Sequence, residues 1–173
     1  MDKELIDALK FALNFEITGE KTYRQIAEES KDAFVKNTFN GLAGDEVIHE
    51  QVIRKYIDSL EKGKKLNINK EMEKIKNIDP KRFFGMLAAD FRKKAAFDAE
   101  KLVPFDTGIA LEKRGIGYYT NQLNIAKSEE TKKFFKFLLI QENFHLISLT
   151  EAKKLLSDPV NFYVEFEKWT LEG

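Results

Sequence analysis

Four stretches of the chain carry stripes of mostly apolar residues at steps of three and four, the period of one face of an α-helix. The first runs Leu5, Leu9, Ala12, Glu16, Gly19, Tyr23 and Ile26, and the second Val35, Phe39, Leu42, Glu46, His49, Ile53, Tyr56 and Leu60. The third runs Phe105, Gly108, Glu112, Gly115, Tyr119, Leu123 and Ala126, and the fourth Phe135, Leu138, Glu142, His145, Leu149, Ala152 and Leu156. No stretch alternates with period two for long enough to argue a strand. The pattern predicts an all-α protein of four long helices.

Asp32 and Ser128 stand where the second and fourth helices should begin, and both are good N-caps. The connections at Ser30-Lys31 and Lys127 are short, which makes two antiparallel hairpins and a four-helix bundle. A crossover from about Gly63 to Pro104 joins the hairpins and is long enough to run the length of a bundle. Its first part is Lys-rich and reads as solvated surface. Asp79-Pro80 then has the form of an N-cap and an N1 proline, opening a short helix through Phe83, Phe84, Met86, Leu87 and Phe91. The tail from Pro159 to Gly173 carries Phe162, Tyr163, Phe166 and Trp169, and reads as a final helix or strap docked over one end.

Composition narrows the function classes. The 173 residues fit one domain with a sizeable core. Lys plus Arg and Asp plus Glu are both 29, so no excess of positive charge points to nucleic acid or an anionic membrane. With no Cys, disulfides, thiolate zinc sites, iron–sulfur clusters and a thiol nucleophile are excluded. No apolar run is long enough to span a membrane, and Met1-Asp2-Lys3-Glu4 does not open a signal peptide, so a cytoplasmic protein is expected.

The helical faces hold an anomaly. Each of the four stripes carries a Glu at mid-length: Glu16, Glu46, Glu112 and Glu142. Two of them add a His one turn on, and His49 and His145 are the only histidines in the chain. Uncompensated buried carboxylates cost several kcal/mol or more each, so four on core faces require cations. A salt-bridge network with Lys or Arg is the plain alternative, but the stripes hold no basic residue at that level.

These residues also repeat. Glu16, Glu46 and His49 recur 96 positions later as Glu112, Glu142 and His145. The same offset relates Gly19 to Gly115, Tyr23 to Tyr119, Phe39 to Phe135 and Asp32 to Ser128, as in a duplicated hairpin. Glu16 lies 15 residues before Lys31 and Glu46 lies 15 after it, so both sit ~22 Å from the turn, at one level. Within Glu46-Val47-Ile48-His49 and Glu142-Asn143-Phe144-His145, the i, i+3 spacing puts carboxylate and imidazole on one face. Two hairpins facing each other would bring four carboxylates and two imidazoles to one point. Such a set suits iron or manganese, with zinc still possible, and four carboxylates balance two divalent ions. A lone E-x-x-H is a weak signal; two copies with two further core Glu at a shared offset are a strong one.

The segments F-E-I-T-G-E-K-T-Y, L-A-G-D-E-V-I-H-E, L-E-K-R-G-I-G-Y-Y and L-L-I-Q-E-N-F-H resemble the ferritin-like superfamily, nearest to its rubrerythrin branch. The resemblance covers roughly residues 2 to 157. It implies that Glu46 and Glu142 bridge two metal ions, with Glu16 and Glu112 as terminal ligands and His49 and His145 as one imidazole on each. It also implies that Tyr23 and Tyr119 hydrogen-bond ligand carboxylates, and that Asp45 and Gln141, each four before a His, orient the imidazole rings. Core tyrosines and exposed polar residues are the plain readings of these four. Rubrerythrins typically append a four-Cys iron module and place an extra carboxylate near the third-helix ligand. This chain has no Cys, and the candidate positions hold Ile109, Gly115 and Ile116, which leaves a symmetric set of six ligands like that of bacterioferritins.

The implied function is that of a di-iron oxidoreductase reacting with H2O2 or O2, a peroxide reductase or ferroxidase in oxidative-stress defence. An external donor, a reductase or rubredoxin-type protein, would supply electrons, and the chain would form a homodimer. Iron storage, a non-redox protein with structural metals, and dimanganese chemistry are the alternatives.

Overall fold

The computed structural model describes residues 3–64 and 99–162. They form four long helices: α1 (Lys3–Glu29), α2 (Ala33–Glu61), α3 (Val103–Ile125) and α4 (Glu129–Ser157). A short 3-10 turn at Ala99–Leu102 leads into α3, with Pro104 in its first turn, where a missing N–H costs nothing. Among the described residues there is no strand.

Local chemistry sets the helix ends. Asp32 accepts hydrogen bonds from the N–H groups of Phe34 and Val35, and Ser128 accepts one from that of Thr131. Each such cap is worth about 1 kcal/mol. At the far end of α2, Gly63 takes φ 62°, its N–H bonds to Leu60 O, and the N–H of Lys64 bonds to Ser59 O. This left-handed closure satisfies two carbonyls that the helix leaves free, and glycine adopts it without a Cβ penalty.

α1 packs along α2 and α3 along α4, while the hairpins meet through α1 against α3 and α2 against α4. This is the all-α four-helix bundle expected from the stripes, and the ferritin-like arrangement that the resemblance implied. At the turn end, Lys101 pairs with Asp32 at 3.0 Å, which places the start of α3 beside the start of α2. At the other end, Leu5, Leu60, Ile125 and Ser128 line one shallow cavity. The two described ends of the connection between hairpins, after α2 and before α3, therefore lie at opposite ends of the bundle.

Two apolar clusters fill the interior, one toward each end. Tyr23, Phe34, Phe39, Phe105, Leu149 and Leu155 belong to one. Leu9, Ile53, Tyr56, Phe134, Phe135 and Leu138 belong to the other, so the Phe-rich start of α4 is core. Phe162, in a helical turn after Asp158, joins the first cluster and ties the beginning of the tail to the bundle. The helix start expected at Asp79-Pro80, and Tyr163, Phe166 and Trp169 of the tail, lie outside the described residues. Among the described residues no helix is long and apolar enough to cross a membrane.

Candidate metal centre

Between the apolar clusters lies a polar layer built from one residue or pair per helix. Glu16, Glu46, His49, Glu112, Glu142 and His145 are all buried, with at most 2% of their surface exposed. The helical stripes explain why: each residue occupies a position whose neighbours one turn away are core, so packing those neighbours draws it inward. The six side chains form two groups, Glu16 with Glu46, His49 and Glu142, and Glu46 with Glu112, Glu142 and His145. Within each group the candidate ligand atoms lie within 4.8 Å of one another, and the groups share Glu46 and Glu142.

Both rings turn Nδ1 toward the carboxylates. His49 Nδ1 lies 3.2 Å from Glu16 Oε2 and 3.2 Å from Glu46 Oε2. His145 Nδ1 lies 3.3 Å from Glu46 Oε1 and 3.5 Å from Glu112 Oε1. The rings stack on each other with centroids 5.3 Å apart. Among the described residues, the four carboxylates form ion pairs with the two histidines and with no Lys or Arg.

Without a cation the layer holds protons. Burial, then the neighbouring Glu46, pushes the Glu16 carboxyl up to about 8. Burial and the surrounding carboxylates Glu16, Glu112 and Glu46 push Glu142 well above the carboxylate range. Glu46 goes the other way: burial opposes its charge, but Glu16, His145 and His49 beside it hold it well below the carboxylate range. For His49, burial disfavours the imidazolium, yet Glu16 and Glu46 overcome it and raise the ring to about 9. His145 is likewise raised, against burial, by Glu112, Asp45 and Glu46. The raised carboxyls and imidazoles thus keep protons that offset part of the negative charge of the layer.

The residues fit a pair of metal ions. Among the described residues, Glu112 Oε2, Glu142 Oε1 and His145 Nδ1 are buried with no hydrogen-bond partner, and each such orphan costs about 1–3 kcal/mol. All are ligand atoms of a carboxylate and imidazole set without thiolate, the chemistry of iron and manganese sites.

The tyrosines act across the bundle. Tyr23 on α1 donates to Glu112 Oε1 on α3, and Tyr119 on α3 donates to Glu16 Oε1 on α1. Asp45 also reaches across: its Oδ2 lies 3.5 Å from His145 Nε2, so the ring it addresses is in the other hairpin rather than on its own helix. Gln141 is buried. Among the described residues, His49 Nε2 has no hydrogen-bond partner.

The two register-related glycines differ. A Cβ on Gly19 would make ordinary contact with the Glu46 carboxylate, nearest at 3.4 Å. A Cβ on Gly115 would lie 2.7 Å from Glu142 Oε2 and 2.8 Å from Phe15 Cε1. Phe15 is a site neighbour that the repeat does not reveal, because the position 96 residues on holds Leu111. The only sequence signal for it is its place beside Glu16.

The model of the family described as Rubrerythrin matches residues 7–153. No curated protein and no solved structure matches the chain. The matched span holds both hairpins and all six buried ligand candidates, and the chain belongs to the rubrerythrin family, in a form without cysteine.

Proposed function

We propose that the protein is a di-iron oxidoreductase that reduces hydrogen peroxide, or reacts with O2, at the buried carboxylate and histidine layer. The observation that carries this reading is the pair of four-ligand groups sharing Glu46 and Glu142. In it, Glu46 and Glu142 would be shared by two ions, with Glu16 and His49 completing the residues that would hold one and Glu112 and His145 those that would hold the other. Four carboxylates offset the charge of two divalent ions, and anionic oxygen ligands favour the ferric over the ferrous state. When bound there, two ferrous ions would supply two electrons, enough with two protons to reduce one H2O2 to two waters.

The chain's own residues do the rest. The apolar clusters on either side keep bulk water from the layer and fix the spacing of the helices that carry the ligands. Tyr23 and Tyr119 hold one oxygen each of Glu112 and Glu16, which limits how the terminal carboxylates can swing. Asp45 holds His145 by its remote nitrogen. Electrons return from a separate reductase or rubredoxin-type donor, since the chain has no cysteine to build its own relay. A cytoplasmic homodimer completes the reading.

Anaerobic loading with Fe(II), followed by H2O2 and O2 in separate stopped-flow experiments, tests it. Rapid growth of ferric absorption with one of the two oxidants supports the proposal. A diferrous protein that persists for minutes in excess of both refutes it.

A further inference from the structure

We propose that the two halves of the centre bind metal unequally, the half containing His145 being the tighter because Asp45 supports its ring. The inference rests on the dinuclear reading above and extends it to the order in which the sites fill.

Both imidazoles face the carboxylates with Nδ1, so a ring that ligates through Nδ1 carries its remaining proton on Nε2. What meets that N–H differs between the halves. On His145 it meets a carboxylate, Asp45 Oδ2 at 3.5 Å. On His49 it meets no hydrogen-bond partner among the described residues, although the ring is fully buried. The edge of Phe137, with its ring centroid 6.4 Å away, is an aromatic neighbour of His49.

The difference is built into the sequence. The position 96 residues after Asp45 is Gln141, so the duplication that repeats all six ligands replaces a carboxylate with a neutral amide here. A carboxylate accepting from a ligand imidazole makes the ring more basic and fixes its orientation, and losing such a partner costs about 10- to 100-fold in metal affinity. A neutral amide cannot supply the charge in any side-chain conformation. Asp45 is also suited to the task by its exposure. Its side chain is 34% accessible, so water solvates its other lone pairs and the charge is not stranded in the core.

The ion beside His145 therefore enters first and leaves last, while the ion beside His49 is the exchangeable one. Asp45 is a positioning residue here, acting on the metal through His145.

The test is an anaerobic titration of the metal-free full-length protein with Mn2+ alone, free ion being followed by electron paramagnetic resonance. Two ions per chain, binding in steps at least about tenfold apart, are expected. Asp45→Asn should weaken the tighter step and leave the weaker one unchanged, closing the gap. Asp45→Glu, which restores the charge, should keep part of the gap. Two ions of equal affinity in the native protein, or an Asp45→Asn variant that weakens both steps alike or neither, would overturn the inference while leaving the dinuclear centre standing. A native protein that binds fewer than two Mn2+ overturns both readings.

Discussion

Tyr119 donates its phenolic proton to Glu16 Oε1, although 103 residues and the whole crossover separate them in the chain. Tyr23 and Glu112 repeat the bond in the opposite direction. Each hairpin therefore steadies a buried carboxylate of the other, and the two bonds stitch the halves together at the level of the site.

Replacing either tyrosine by Phe removes one hydrogen bond while keeping the carboxylate and the ring packing. Tyr119→Phe should lower metal affinity or the rate of Fe(II) oxidation by about 10- to 100-fold, the range for partners of metal ligands. Metal-binding titrations and stopped-flow oxidation read the two effects. A variant with native values in both would remove Tyr119 from any role at the site.

Glu142→Ala should do more. It deletes a carboxylate shared by both four-ligand groups, so neither ion keeps its full set. Metal content should fall below two ions per chain, and oxidation by H2O2 or O2 should slow by orders of magnitude, because two-electron chemistry needs both ions together. Elemental analysis and single-turnover kinetics check it. Two tightly bound ions in this variant would be incompatible with a bridging role.

The two glycines make a paired test. Gly19→Ala adds a methyl group at ordinary contact distance and replaces a poor helix former, so it should be neutral or stabilising by up to about 1 kcal/mol. Gly115→Ala forces either Glu142 or the Phe15 ring to move, and should destabilise by about 1–3 kcal/mol. Thermal melts of the two metal-free variants, run side by side, decide the matter. Equal shifts would show that Phe15 and Glu142 give way freely.

The protons held by the layer make the metal-free protein sensitive to pH. Glu16 is raised from 4.5 to about 8, so its protonated form favours folding below 4.5 and that contribution is lost as pH rises to about 8. His49 is raised from 6.5 to about 9; its contribution is complete below 6.5 and lost as pH rises through about 9. The depressed Glu46 acts oppositely, but only at acid pH. Between about 6.5 and 9 the melting temperature of the metal-free protein should therefore fall. Metal should release protons on binding, raise the melting temperature and flatten this dependence. Calorimetry with and without Mn2+ or Fe2+ measures it; a metal-free protein with constant stability across that window contradicts the assignment of protons.

The helices, the pairing within each hairpin and the six buried ligand candidates are all legible in the order of the amino acids. Those features are periodic: a core stripe recurs every three or four residues, caps sit at its ends, and a 96-residue repeat carries Glu and His along in register. Burying the stripe buries the polar residues on it, so Glu16, Glu46, Glu112 and Glu142 had to meet once the hairpins faced each other.

What each of these residues touches follows instead from how the helices pack. The register puts Tyr23 and Asp45 near the site, but not which carboxylate or ring they address; both act across the bundle, where the relative position of two helices sets the partner. Nor does the repeat distinguish its two halves where its residues are the same. Gly19 and Gly115 are identical in sequence and lie in different spaces, because one half packs Phe15 over its glycine and the other does not. Contacts between helices depend on side-chain volumes from distant parts of the chain, and no local period encodes them.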